Sequence, residues 1–566
     1  MEEKMRKPVV AIALDSADPA VLENWMDRGY LKNLNQLRQQ GIYGRLNNSV
    51  EHYSTIVETS STERVWVMFL TGCLPNKTGF WQVEKYDRET YTATQDTVKG
   101  TYDFKEYPPF YALGEDYRVA VFDMPFTKLF NQVNGVQILG WGGHAPHTPS
   151  HSLPTELLPD LIGKYGKNPL LHKDYGHWWD RAYVQRINAG IKTSVERRAA
   201  ICRDLLQQKK WDLFLTVFAE SHTAGHDFWH LSQSDHPLYH SQKKEGDNQD
   251  LMLEAFEDID RAVGEILAAV PEDAYVLVFS LHGMGGNATD VLSMMFIGEV
   301  LYRFNFPGKA AIAPGKLGTT PPPVIHQPRR KTWVGEVWQQ KHDSNPIKRL
   351  IRRWLPSKFD KFLEAQNPSD LVSPYKLKEQ SDSLYWEPLN WYKPLWSQMR
   401  AFAIPSFSDG HIRINLKGRE PKGIVEPAEY DALCDELTEK LYRLKDGRTG
   451  KSIVKKVVRT RYSATDSRPN LPDADLIVVW EEQPTDVVDS PDFGRIGPIT
   501  YYRSGGHRPQ GFLMAKGEGI TPGSSLSEAE SIDLAPTILE LMGAEPPEYF
   551  DGKALLKQPL KSESSL

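Results

Sequence analysis

Short unbroken runs of apolar residues, each ending abruptly in a polar side chain, set the pattern of the first half of the chain. Val9-Val10-Ala11-Ile12-Ala13-Leu14 runs into Asp15, and Tyr117-Arg118-Val119-Ala120-Val121-Phe122 into Asp123. Leu213-Phe214-Leu215-Thr216-Val217-Phe218 leads to Glu220, and Tyr275-Val276-Leu277-Val278-Phe279-Ser280-Leu281 to His282. Runs of this length without alternation predict strands buried on both faces, as in a parallel sheet. Between them, residues 19–26, 31–37 and, most regularly, 250–270 have helical period. The alternation from about residue 8 to 290 predicts βαβ units and a mostly parallel α/β sheet.

The character changes near residue 300. Pro321-Pro322-Pro323, Pro328 and Pro346 interrupt segments rich in Trp, Lys and Arg, which predicts an insertion or cap. Its basic stretch, Lys348-Arg349-Leu350-Ile351-Arg352-Arg353-Trp354, reads first as a solvated helix face. Strand and helix patterns return from His411-Ile412-Arg413-Ile414-Asn415, and a helix over 532–542 stops on Gly543. The expected organisation is therefore a core in two parts, 1–295 and 401–556, split by a cap over 296–400, with a flexible tail at 557–566.

Composition narrows the class. With 40% hydrophobic and 25% charged residues the chain is an ordinary globular protein. A net charge of -7 over 566 residues gives no reason to expect nucleic-acid binding. Cys73, Cys202 and Cys434 are odd in number and widely spaced, which fits a reducing compartment better than a disulfide framework. No apolar stretch approaches the ~18 residues of a membrane-spanning helix. A cytoplasmic protein is expected.

Ligands of an open parallel sheet bind outside the carboxyl ends of its strands, so polar residues at several such ends point to one site. His222 and His226 lie four apart and share a face if a helix begins there, as a metal pair requires. Asp15, His282 and His507, the last within Ser504-Gly505-Gly506-His507-Arg508, join them as candidate ligands. Glu220 reads equally as a helix-start carboxylate or a ligand. Asp123, with His144 and His147 near the Gly140-Trp141-Gly142-Gly143 stretch, lines the substrate side or forms a structural loop. His230 continues the histidine stripe but reads as a packing residue.

These segments together resemble the alkaline phosphatase superfamily, in the branch of type I phosphodiesterases, nucleotide pyrophosphatases and relatives of cofactor-independent phosphoglycerate mutase. Ala13-Leu14-Asp15 is similar to the first metal-binding aspartate. Thr62-Glu63-Arg64-Val65-Trp66-Val67-Met68-Phe69-Leu70-Thr71-Gly72 resembles the nucleophile segment, with Thr62 at the nucleophile position. Gly418-Arg419-Glu420-Pro421, Pro472-Asp473-Ala474-Asp475-Leu476 and Gly506-His507-Arg508 complete the likeness. The resemblance implies a three-layer, doubly wound core, two divalent metals and a hydroxyl nucleophile attacking a phosphoryl or sulfuryl group.

The chain departs from the family's six ligands, three aspartates and three histidines. His222 stands where an aspartate is usual, and Leu281 replaces the aspartate before His282. The ligand charge drops from about -3 to about -1, which disfavours a second cation. The expectation is one firm metal at His222, His226 and His507, with zinc ahead of manganese or iron. A second, uncertain site keeps Asp15, Thr62 and His282, with Glu220, Asn287 or Asp290 as replacement ligands; Asn287 is also a candidate for substrate binding. The expected function is metal-dependent hydrolysis of a small phosphate ester, a phosphodiester or pyrophosphate, by Thr62, with Glu220 managing protons. The alternatives are a phospho- or sulfotransferase or mutase on the same site, and a pseudoenzyme using its cap as a binding module.

Overall fold

The computed structural model describes residues 6–53, 55–95, 101–142, 148–173, 176–242, 249–343, 345–354 and 370–558. A nine-stranded sheet is its centre. In chain order its strands are β1 (Val9–Leu14), β2 (Ile42–Leu46), β3 (Gly114–Phe122), β4 (Val133–Leu139), β5 (His151–Leu153), β6 (Leu213–Phe218), β7 (Tyr275–Ser280), β8 (Gly511–Lys516) and β9 (Ser524–Ser525). They lie in the order β9-β2-β8-β7-β1-β6-β3-β4-β5. The middle run from β7 to β4 is parallel throughout, whereas β8 and β5 pair antiparallel with their neighbours.

Both faces of this sheet are covered, and the strands show it residue by residue. In β1, Val10, Ile12 and Leu14 enter one hydrophobic cluster while Val9, Ala11 and Ala13 enter another. The first cluster takes the buried faces of helices Arg181–Gln208 and Leu251–Leu267; the second takes helices Thr62–Thr71 and Leu534–Met542. The unalternating apolar runs are the sequence image of this three-layer packing. Carboxylates start several of the helices: Asp18 accepts from the backbone N–H groups of Ala20 and Val21, Asp180 from Ala182 and Tyr183, and Asp250 from Leu253.

A further hydrophobic cluster draws mainly on residues between Val291 and Tyr501, joined by Tyr91, Ala93, Trp178 and Leu238. It joins helix Trp333–Gln339 and the 3₁₀ segment Pro388–Gln398 to an antiparallel sheet of Ala401–Ile404, Gly410–Ile414, Leu476–Trp480 and Val454–Arg459. Helix Tyr430–Tyr442 packs on the last of these strands. The basic stretch forms helix Pro346–Trp354. No helix among the described residues is long and apolar enough to cross a membrane.

Candidate metal centre

Three adjacent parallel strands bring their carboxyl ends to one edge of the sheet. Leu14 of β1 is in register with Phe218 of β6, and Ala13 with Phe279 of β7, so Asp15, the 220–226 turn and His282 emerge side by side. β8 runs the other way, with Phe512 opposite Ser280. It therefore starts at this edge, preceded by the ribbon in which Gly505–Arg508 pairs with Gly283–Gly286.

Helix Glu220–Ser232 starts straight after β6 and places His222 and His226 one turn apart. Their Nε2 atoms are 3.2 Å apart, and His507 Nε2 lies 3.0 Å from that of His222 and 3.1 Å from that of His226. Among the described residues this is the one group of three or more His, Cys, Asp or Glu side chains whose ligating atoms converge. Three imidazole nitrogens in a triangle cannot all hydrogen-bond one another, because each contact needs one proton and one lone pair. A metal resolves the conflict: at ~2.05 Å from each nitrogen, tetrahedral ligands sit ~3.35 Å apart, close to the spacing found. The other nitrogen of His226 leaves such a role open to it. Its Nδ1–H donates to the Gly505 carbonyl at 2.7 Å, which leaves Nε2 as a bare lone pair. His222 and His226 are buried and His507 is half-buried, so the triad opens to one side.

The glycines of the ribbon make this approach feasible. A Cβ on Gly505 would lie 2.1 Å from the Gly225 carbonyl oxygen, inside the helix that carries both histidines. Ser504 adds two hydrogen bonds to the His226 carbonyl, at 3.1 Å from its N–H and 2.8 Å from its hydroxyl.

Thr62 is the first residue of helix Thr62–Thr71, and its Oγ1 lies 3.0 Å from His507 Nδ1. Of the neighbouring hydroxyls, that of Thr59 accepts from Arg64 and from the Ser61 N–H, and Ser61 donates to Glu63. Asp15 Oδ1 accepts from the Trp66 indole at 3.2 Å and lies 3.7 Å from His282 Nε2. His282 is fully buried, and that burial pulls its pKa down to about 4. Its ring centroid is 4.9 Å from that of His507. Asp15, Thr62, His222, His226, His282 and His507 thus share one place.

The remaining candidates stand elsewhere. Both carboxylate oxygens of Glu220 accept from Arg198 Nε, at 3.1 and 3.0 Å, and one also accepts from Ser194. Arg198 Nη2 donates to Asp123 at 2.9 Å, and Asp123 also accepts from the N–H groups of Trp141 and Gly142. All three charged groups are buried, so Glu220 and Asp123 belong to an ion-pair network beneath the site instead of facing the histidines. The physical reason is charge: a carboxylate buried at the strand end finds its cation on helix Arg181–Gln208. Asn287 donates to Asp290 and to the Arg503 carbonyl, bracing the loop before His507 rather than pointing to a ligand. Asp290 in turn pairs with Arg503 at 2.9 Å. His144 lies outside the described residues, as does His147. His230 is buried against Trp178, and burial holds its pKa down at about 3.

Two residues were not foreseen from the sequence. Arg503 donates from Nη1 to His226 Nε2 at 2.9 Å, placing a positive charge against the triad. Nothing in its local sequence marks it. Arg198 had a signal: it falls in the apolar stripe Ile187, Ile191, Val195, Cys202, Leu205 of its helix, where a charge must be paired.

The sequence profile of the type I phosphodiesterase / nucleotide pyrophosphatase family matches residues 9–337, more than half the chain. No curated protein sequence gives a significant match. Among solved structures, phosphonoacetate hydrolase from Sinorhizobium meliloti 1021 aligns with a TM-score of 0.44 at 12% identity, over 95% of this chain and 96% of its own. Ectonucleotide pyrophosphatase / phosphodiesterase 5 aligns at 11% identity and a TM-score of 0.43, the murine protein over 95% of both chains and the human over 97% of both. By the profile match over residues 9–337, the chain belongs to the type I phosphodiesterase / nucleotide pyrophosphatase family, a family of phosphoester hydrolases typically dependent on divalent metal.

Proposed function

We propose that this protein hydrolyses a small phosphate ester, a phosphodiester or pyrophosphate, with Thr62 as nucleophile and one firmly held divalent ion, zinc ahead of manganese or iron. The observation that carries the proposal is the convergence of three histidine nitrogens with the Thr62 hydroxyl 3.0 Å from His507. His222, His226 and His507 hold the ion. When bound there, it supplies Lewis-acid stabilisation of a phosphoryl oxygen and lowers the pKa of an oxygen nucleophile.

The chain's own groups do the rest. With His507 Nε2 given to a metal, the proton of its neutral ring would sit on Nδ1, the nitrogen nearer Thr62 Oγ1 at 3.0 Å against 3.4 Å for Nε2, and would be donated to that oxygen. The hydrogen bond fixes the oxygen for attack and stabilises negative charge as it develops there. Thr62 also opens a ten-residue helix, whose amino end favours an anionic phosphoryl group. Attack on phosphorus by Thr62 releases its hydroxyl proton to solvent on the open side of the site as the bond to the alcohol or phosphate breaks, the leaving group taking a proton from solvent; water then cleaves the phospho-threonine and returns the hydroxyl. Arg503 donates to His226 Nε2 and is held by Asp290 at 2.9 Å, which keeps a cation beside the triad for an anionic phosphoryl oxygen.

A second ion is disfavoured by charge. Asp15 is the one carboxylate among the six converging residues, and Arg503 offsets it. Residues 296–400 are proposed to act as the cap; their buried apolar side chains share one hydrophobic cluster with residues of 401–501.

The test is Thr62→Ala, measured with elemental analysis of the same protein. We expect kcat to fall at least ~10³-fold with metal content unchanged at about one per chain. A modest loss of kcat with full metal content would remove Thr62 from the mechanism.

A further inference from the structure

A cavity of about 750 Å³ opens where segments 329–335 and 374–386 meet Tyr502. Part of its lining is aromatic. Trp386 stacks on Tyr502 with centroids 6.0 Å apart and planes 18° from parallel, and on Phe407 at 5.4 Å. Trp333 meets Tyr502 edge-on at 5.0 Å. Arg503 lies 5.3 Å over the Tyr502 ring, and Trp386 and Tyr502, both half-buried, present what remains of their ring area to the cavity.

The lining also carries four cations. Arg329, Arg330, Lys331 and Lys378 contribute to it, and no carboxylate does. Nearby Glu336 is turned to the backbone, accepting from the N–H groups of Arg329 and Arg330. Arg330 is fixed by Gln339 and by the Arg352 carbonyl. Among the described residues, Arg329, Lys331 and Lys378 make no ion pair, and the Lys378 ammonium lies 5.1 Å over the Tyr385 ring.

The cavity also adjoins the metal centre along the chain. The run 500–502 is pinned by indole hydrogen bonds, Trp333 Nε1 to the Thr500 carbonyl at 2.7 Å and Trp178 Nε1 to the Tyr501 carbonyl at 3.1 Å. The next residue is Arg503, which reaches His226.

Flat aromatic faces offer stacking, and cations without partners offer attraction to an anion that is not cancelled locally. The size suits one small molecule. A bare inorganic anion would leave the rings unused, and an uncharged ring would leave the cations unused. We propose that this cavity is a binding site for a small planar aromatic anion, an aryl group bearing a sulfonate, carboxylate or phosphate, with its ring on Trp386 and Tyr502 and its charge on Lys331, Lys378 and Arg329. The site stands on its own lining and does not depend on Thr62 acting as nucleophile.

The probe is 2-naphthalenesulfonate, titrated calorimetrically into the full-length metal-loaded protein, with 2-naphthol and sodium sulfate as the ring and the charge alone. One equivalent should bind at least tenfold more tightly than either control. The double variant Lys331→Glu/Lys378→Glu, at exposed positions, should weaken it at least tenfold. Trp386→Leu should do likewise, and Lys209→Glu, a remote exposed lysine, should not. Equal binding of naphthol, equal binding of sulfate, or an unchanged affinity in the double lysine variant would each overturn the proposal. Circular dichroism of each variant separates lost binding from lost folding.

Discussion

Replacing Gly505 by alanine is expected to strip the protein of its metal while leaving most of its fold in place. The added Cβ would sit 2.1 Å from the Gly225 carbonyl oxygen, whereas carbon and oxygen normally approach no closer than ~3.3 Å. The ribbon and helix Glu220–Ser232 must therefore separate by ~1.2 Å at that point. His226 and His507 sit on opposite sides of the contact, with their Nε2 atoms 3.1 Å apart. Half the displacement widens that gap to ~3.7 Å and all of it to ~4.3 Å, beyond the ~3.4 Å span of two nitrogens on one tetrahedral ion. The 2.7 Å hydrogen bond from His226 to Gly505 is lost in the same movement. Loss of such an orienting partner alone weakens metal binding ~10–100-fold, so with the altered geometry a drop of at least ~100-fold is expected, equivalent to ~2.8 kcal/mol. The assay is competition with a chromogenic chelator, followed by metal analysis after dialysis. Gly163→Ala is the control: its Cβ meets nothing within 4 Å, and in a helix the change should stabilise slightly, by ~0.5–1 kcal/mol. Metal affinity in Gly505→Ala within threefold of the parent protein would refute the argument.

Arg198→Met should destabilise the fold by ~3–5 kcal/mol, because it leaves two buried carboxylates, Asp123 and Glu220, without their cation; chemical denaturation reads the loss, and an unchanged midpoint would contradict the network described. Buried His52 and His411 have pKa values pulled down to about 3, mainly by desolvation, against an unfolded value of 6.5. The unfolded chain then binds more protons between those values, so stability falls as pH drops below ~6.5, by ~2 kcal/mol per histidine at pH 5. Stability measured from pH 7 to 5 should show this slope, and His411→Gln should flatten it; an equal slope in the variant would assign the acid sensitivity elsewhere. Chelation should lower the melting temperature, and restoring zinc at a hundredfold excess over its Kd should return ~2.7 kcal/mol, with no shift expected in His226→Ala.

The sheet was legible because burial on both faces leaves a mark one residue at a time: β1 is apolar throughout, β6 but for Thr216 and β7 but for Tyr275 and Ser280, and a residue of the site follows each within four positions. His222 and His226 were legible through their spacing, and His507 through the glycines before it. Direction at a strand end was not. Glu220 and His222 both follow β6, yet one side chain turns to Arg198 beneath the sheet edge and the other to the triad. Two residues of helix separate those directions, and only the position of Arg198, 22 residues earlier on another helix, decides between them. Arg503 was hidden for the same reason, since its partners Asp290 and His226 are more than 200 residues away. The periodicity of 401–480 announced strands without saying which sheet each would join.

His226 and His507 are separated by 281 residues. During synthesis at ~5–20 residues per second, roughly 15–55 seconds pass between the appearance of the histidine pair and the arrival of its third ligand. A two-histidine site holds an ion weakly, so the centre cannot load securely until the antiparallel strand β8 has been made and its preceding ribbon has docked. On the proposed metal site, loading would then wait for the contact between residues 226 and 507, so a chain cut before residue 505 should hold no ion.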